Sequence, residues 1–195
     1  MKFLRPVFLG YIFLAAFCNN AFSDQHQKAV LVTGASSGIG LKVTELLAER
    51  GYFVYAGARK AEDLEQLNTL ENVESVRLDV TVQEDIDQAV AKIRKAGRGL
   101  YGIVNNAGVG FVGEASSMLE SDLELTTNVN VYGPYRITKA FAPMIIESEG
   151  RIRTIGSISG ILSSRRLASY SMSKQAVEHA LFSETPKHRY IGCTE

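Results

Sequence analysis

A buried strand that runs straight into a glycine-rich turn and then into a helix leaves a chain few folds to choose from, and residues 29–51 have that pattern. Ala29-Val30-Leu31-Val32 is an unbroken apolar run, as expected of a strand covered on both faces in the middle of a parallel sheet. Thr33-Gly34-Ala35-Ser36-Ser37-Gly38-Ile39-Gly40 follows at once. Ile39, Val43, Leu46 and Leu47 then fall on one helical stripe, and Gly51 after Arg50 supplies the left-handed cap that ends it. In this setting Gly34 permits the tight turn, Gly38 lets backbone approach a bound group, and Gly40 lets the helix pack on the strand. The N–H groups around Ser36, Ser37 and Ile39 and the positive end of the helix converge there, so the expected ligand is the pyrophosphate of a dinucleotide.

Short β-branched runs keep alternating with longer helical patterns. Tyr52 to Ala56 is expected as strand two, Ala61 to Leu70 as a polar helix and Val73 to Leu78 as strand three. Thr81 with Glu84 has the form of a capping box ahead of a helix whose buried stripe is Ile86, Ala89, Val90 and Ile93. Leu100 to Val104 gives strand four, Asp122 to Glu147 a long helical stretch, Arg151 to Gly156 strand five, and Tyr170 to Phe182 a last helix. This is a run of βαβ units, hence an α/β fold: a doubly wound parallel sheet of the Rossmann type, one domain over residues 28–182. Residues 183–195 carry no further strand pattern and are expected as an irregular tail, so the sheet is expected to be truncated after the fifth strand and its helix.

Residues 1–23 differ from the rest. Lys2 and Arg5 precede an apolar run from Val7 to Phe17, and Ala21-Phe22-Ser23 offers small residues for cleavage. The segment is expected to be a signal peptide or, if retained, a signal-anchor, which places the chain in the secretory pathway or in association with a membrane. The run is shorter than the roughly 20 apolar residues of a comfortable span. Lysine plus arginine and aspartate plus glutamate stand at 21 each, so no basic excess points to nucleic acid. Cys18 and Cys193 lie far apart, and His26, His179 and His188 have no metal-ligand spacing with them, so neither a disulfide framework nor a metal is expected.

The turn at Thr33 has the spacing T-G-x-x-x-G-x-G, and from about Lys28 to Ala180 the chain resembles the short-chain dehydrogenase/reductase family. Asn105-Asn106-Ala107-Gly108 after strand four and Asp79-Val80 after strand three match that family's cofactor-side motifs, so the resemblance implies that Asn106, Ala107, Gly108, Asp79 and Val80 touch a nicotinamide cofactor. Strand two ends in Gly57-Ala58-Arg59-Lys60, with Arg59 where a carboxylate would select the free ribose diol. A guanidinium there suits a 2′-phosphate, so NADP is expected over NAD.

Tyr170 and Lys174 lie four apart on a helix and share a face, and Ser157 precedes Tyr170 by thirteen residues at the end of strand five, the separation that the family uses. A free tyrosine is a poor base at neutral pH, and a nearby ammonium favours its phenolate. Tyr170 is therefore expected to move the proton, Lys174 to support it and, as the resemblance implies, to hold the nicotinamide ribose, and Ser157 to bond the substrate oxygen. Asn128-Val129-Asn130-Val131-Tyr132-Gly133 resembles the family's helix segment and makes Asn130 the fourth catalytic residue, ahead of Asn128. Pro134 has no N–H to return to the Asn130 carbonyl, which leaves that carbonyl able to hold a relay water, or else simply kinks the helix.

The implied activity is hydride transfer between NADP(H) and an alcohol or carbonyl substrate. The apolar run through Gly108-Val109-Gly110-Phe111-Val112 suggests a lipophilic one, steroid- or retinoid-like. A nucleotide-binding module without turnover and a truncated product of a longer gene are the competing readings. The resemblance also implies a homo-oligomer built through the long helices.

Overall fold

A computed structural model describes residues 27–163 and 165–181. Strands β1 (Ala29–Thr33), β2 (Phe53–Ala58), β3 (Val73–Arg77), β4 (Gly102–Asn105) and β5 (Arg151–Thr154) form one sheet, all parallel, in the order β3-β2-β1-β4-β5. Between them run helices α1 (Gly38–Glu49), α2 (Ala61–Leu67), α3 (Gln83–Ala96), α4 (Glu120–Thr127) and α5 (Gly133–Glu147), and α6 (Ala168–Leu181) follows β5. This is the doubly wound Rossmann architecture.

The continuous apolar run of β1 has a simple origin. Alternate side chains of a strand point to opposite faces, and both faces here are covered. Leu31 joins Tyr55, Ile86, Ile93, Ile137 and Phe141 under α3 and α5, while Val30 and Val32 join Val54, Ala56, Leu47 and Leu67 under α1 and α2. From β1 the chain winds outward to β2 and β3, then returns to place β4 on the other side of β1. A crevice therefore opens at the carboxyl ends of β1 and β4, where the winding direction reverses.

The structure corrects three local expectations. The long helix is not continuous: α4 stops at Thr127, residues Asn128–Tyr132 form a π-helical turn, and α5 restarts at Gly133. Pro134 stands in the first turn of α5, where its missing N–H removes an α-helical bond, and the widened turn accommodates the loss. The capping box at Thr81 does not form. Helix α3 begins after Val82 without a side-chain cap, and the Thr81 hydroxyl instead donates to Asp79 Oδ1 at 2.6 Å. Finally, α2 ends at Leu67 rather than Leu70, because Asn68 turns its Oδ1 to accept from the N–H of Ser75 on β3 at 2.7 Å.

Tyr55 is fully buried, and its hydroxyl has no hydrogen-bond partner among the described residues. An unpaired buried hydroxyl carries a desolvation cost that its replacement by hydrogen removes. Tyr55→Phe should therefore raise the stability by about 1 kcal/mol in denaturant unfolding, whereas a hydroxyl bonded through an internal water would make the same change destabilising.

Candidate active site

The crevice is held open by side chains that tie the end of β1 to the end of β4. Thr33 Oγ1 accepts from the N–H groups of Asn106 and Ala107, each at 3.0 Å, and Asn106 Nδ2 donates to the carbonyls of Thr33 and Gly34, also at 3.0 Å. Two glycines make this approach feasible. A Cβ on Gly34, whose φ is +64°, would come within 2.9 Å of Ala107 Cα, and one on Gly40 would collide with Gly34 O and Asn106 Nδ2. Gly38, at φ +54°, has open space before it.

The resulting cleft, about 550 Å³, is lined by Gly34, Ser36, Ser37 and Ile39 of the turn, Arg59, Asp79 and Val80, and Asn106, Ala107 and Gly108. Gly40 lies behind the wall, packing helix on turn. Ser37 is the N-cap of α1 but makes no capping bond, and no acidic side chain occupies the first turn, so the leading N–H groups suit an anionic ligand. That is the fit a pyrophosphate requires.

Arg59 is 64% exposed at its side chain and lies 3.8 Å from Asp79 Oδ2. Asp79 is the hub of this corner: its Oδ1 accepts from both the N–H and the hydroxyl of Thr81, while its own N–H donates to Asp85 Oδ2 at 2.9 Å. Burial works to raise the Asp79 carboxyl, but the Thr81 hydrogen bonds and the charges of Arg59 and Arg77 outweigh it and hold it below its ordinary value.

The second group of residues converges on α6. Lys174 is only 6% exposed, and its Nζ donates to the carbonyl of Ile155 at 2.7 Å, just before Ser157, and sits 5.6 Å from the centre of the Tyr170 ring. Burial pulls the Lys174 ammonium below its usual value, and the charge of Glu178 acts against that. Ser157 begins a short 3₁₀ turn, Ile158–Gly160, with its Oγ accepting from the N–H of Ser159 at 3.2 Å. Among the described residues the hydroxyl proton has no acceptor.

Asn130, in the π turn, is 2% exposed, and its side chain is fully engaged. Its Oδ1 accepts from Val109 N, and its Nδ2 donates to Val109 O and to Ser173 Oγ, at 2.8, 2.8 and 2.9 Å. Ser173 in turn donates to the carbonyl of Tyr170 at 2.7 Å. The loop that Asn130 fixes also carries Gly110, whose backbone lies against the Tyr170 ring so closely that a Cβ would stand 3.1 Å from it. Asn128, the alternative, is used elsewhere: its Oδ1 accepts from Arg136 at 2.8 Å.

The structure thus gathers Asn130, Tyr170 and Lys174 into one unit and seats the lysine next to the Ser157 turn. Among the described residues no direct hydrogen bond joins Ser157 to Tyr170. Sequence reasoning missed Ser173, which looks like any small helix residue, and the twofold acceptance by Thr33, because a side chain reading backbone seventy residues away leaves no local signal. No three His, Cys, Asp or Glu side chains among the described residues are placed to hold a metal ion. No described helix is long and apolar enough to cross a membrane, and the run from Val7 to Phe17 lies outside the described residues, as do Cys18, Cys193 and the tail.

Comparison with known proteins agrees with this geometry. The family model for short chain dehydrogenase matches residues 28–188. The chain belongs to the short-chain dehydrogenase family. Among its curated relatives are an uncharacterised oxidoreductase of Escherichia coli strain K12, 37% identical over 154 residues, and the human 17-beta-hydroxysteroid dehydrogenase type 2, 36% identical over 159. These alignments cover 78% and 77% of this chain but 57% and 41% of the relatives, so the chain spans about half their length. The crystal structure of a short-chain dehydrogenase from Streptomyces avermitilis superposes with a TM-score of 0.75 at 34% identity, covering 80% of this chain and 58% of that one. An alcohol dehydrogenase from Thermococcus sibiricus, solved with 5-hydroxy-NADP, gives 0.74 at 26% identity, covering 80% and 69%.

The Asp79 hub has a measurable consequence. A carboxyl whose folded value lies below its unfolded one stabilises the fold above the unfolded value and loses that contribution as pH falls through the folded one. Asp79→Asn should therefore lower stability at pH 7, and the gap to the unsubstituted chain should close as pH falls below 3.8. A gap that is the same at pH 7 and pH 2.5 would contradict this assignment.

Proposed function

We propose that this chain carries the cofactor-binding and catalytic part of an oxidoreductase that transfers hydride between NADP(H) and an alcohol or carbonyl compound. One observation carries the reading: a lysine buried beside Tyr170 and the Ser157 turn, an arrangement that costs desolvation. The nicotinamide cofactor, when bound, supplies or accepts the hydride. The chain's own residues do the rest.

Gly34, Ser36, Ser37, Gly38 and Ile39 offer backbone to the pyrophosphate, with Gly40 behind them, and Asp79, Val80, Asn106, Ala107 and Gly108 line the remainder of the cleft. Arg59 is exposed at the cleft edge, where a 2′-phosphate is a better partner than Asp79 at 3.8 Å, and this supports NADP over NAD. In reduction, Tyr170 donates its phenolic proton to the substrate oxygen while Ser157 bonds the same oxygen. Lys174 stabilises the phenolate that is left, and Asn130 keeps the loop and helix in register around it. In oxidation the same proton moves back.

Val112, Ile158, Ile161 and Leu162 leave large apolar side chains exposed on the segments that flank Tyr170 and Ser157, which supports a lipophilic, steroid- or retinoid-like substrate. Exposed Leu125, Tyr132 and Tyr135 on α4, the π turn and α5 support association with a second copy. The apolar run near the N-terminus supports a secretory or membrane-associated location.

NADPH and NADH titrations followed by cofactor fluorescence test the cofactor assignment. Arg59→Asp should weaken NADPH binding by about 10- to 100-fold and leave NADH nearly unchanged; equal affinities in the unsubstituted chain would overturn it. Tyr170→Phe should lower kcat for carbonyl reduction by about 10²- to 10⁴-fold while NADPH still binds. Binding without turnover in the unsubstituted chain would instead mark a nucleotide-binding module.

A further inference from the structure

Lys174 poses a problem that the catalytic group alone does not solve. The ammonium is buried, its one hydrogen bond among the described residues goes to a neutral carbonyl, and burial favours loss of its proton. An ammonium that must stay charged to support a phenolate needs a counter-charge. Helix α6 supplies one a single turn on: Glu178 is four residues beyond Lys174, so the two side chains leave the helix on the same face.

Glu178 is also seated. Its Oε1 occupies the space in front of Gly156, where a Cβ at residue 156 would collide with it. Gly156 lies between Ile155, whose carbonyl accepts the Lys174 hydrogen bond, and Ser157. The carboxylate is therefore held at the segment that anchors the ammonium, half-buried rather than free in solvent. Gly156 is not among the glycines with positive φ, and its lack of a side chain leaves the room that the carboxylate occupies.

We infer that Glu178 is a positioning residue: its carboxylate, seated against Gly156, is the counter-charge that keeps the buried Lys174 protonated and aimed at the Ile155 carbonyl. The other elements packed on α6 are α4, the π turn and the 158–160 turn; Asn130 and Gly160 face it from the latter two without charge, and α4 carries the acidic residues Glu120, Asp122 and Glu124. Tyr170 is the titratable neighbour on α6 itself. The burial of the ammonium acts against Glu178.

This inference rests on the catalytic reading of Lys174 for its purpose, but its test does not. In the full chain labelled with ¹³C at lysine Cε, the Lys174 resonance, assigned by its absence from Lys174→Arg, is followed against pH. Glu178→Gln should move its titration to lower pH. Gly156→Ala, which keeps the carboxylate but removes its seat, should move it the same way, and the double substitution should go no further than Glu178→Gln alone. An unmoved titration in Glu178→Gln would overturn the counter-charge, and one unmoved in a folded Gly156→Ala would overturn the seat.

Activity gives a separate readout. Glu178→Gln should bring the alkaline fall in kcat for carbonyl reduction to lower pH, with KM little changed and near-normal kcat restored on acidification. A loss equal at every pH would indicate packing alone and overturn the inference. If no variant turns over, including the unsubstituted chain, the catalytic reading fails while the lysine titration still decides the role of Glu178.

Discussion

Thr33 and Asn106 join the ends of β1 and β4 side by side, and the site depends on that junction. Adjacent strand ends in a doubly wound sheet carry chains that depart to opposite faces, so nothing in the sheet ladder itself keeps the two turns together. Here a hydroxyl that accepts from two N–H groups and an amide that donates to two carbonyls provide the link. All four of these bonds engage backbone groups at a partly buried junction, so the junction satisfies the fold while it shapes the cleft. Gly34 and Gly40 are the sequence's concession to it: any side chain at either place would push the two turns apart.

The opposite end of the crevice is governed by a charge under cover. A buried ammonium is unfavourable unless partners are supplied, and those around Lys174 come from three separate parts of the chain. Ile155 gives a carbonyl, α6 places the ring of Tyr170 and the carboxylate of Glu178 on either side, and the π turn fixes α6 through Asn130 and Ser173. The widened turn at Asn128–Tyr132 follows from the same need, since it delivers the Asn130 side chain inward between the Val109 loop and α6. The irregular turn in the helix and the order at the site are two sides of one feature.

Much of this was legible in the sequence because it is written in short-range patterns. The unbroken run of β1, the glycine offsets and the Tyr170–Lys174 spacing each reflect a local rule, and the sheet, the cleft and the shared face of Tyr170 and Lys174 follow from them. What escaped was the geometry that depends on side chains meeting across long separations. Thr81 looked like a helix cap because Glu84 stood three residues on, yet Asp79 competes for its hydroxyl at 2.6 Å and wins through a shorter, charge-assisted bond. Asp122 to Glu147 looked like one helix, since apolar periodicity does not register a turn that widens by one residue. Ser173 and the pairing of Gly156 with Glu178 gave no sign at all, because only the fold brings each to its partner.

The central claim is that the cleft and the α6 group act on one substrate, so that hydride and proton move at the same carbonyl. Its most direct measurement is label transfer from NADPH deuterated at nicotinamide C4 to an apolar ketone, with the product alcohol analysed by mass spectrometry. The account predicts one deuterium on the carbinol carbon for each NADPH consumed. Saturable NADPH binding with no deuterated alcohol from any aliphatic, aromatic or steroidal ketone would contradict it.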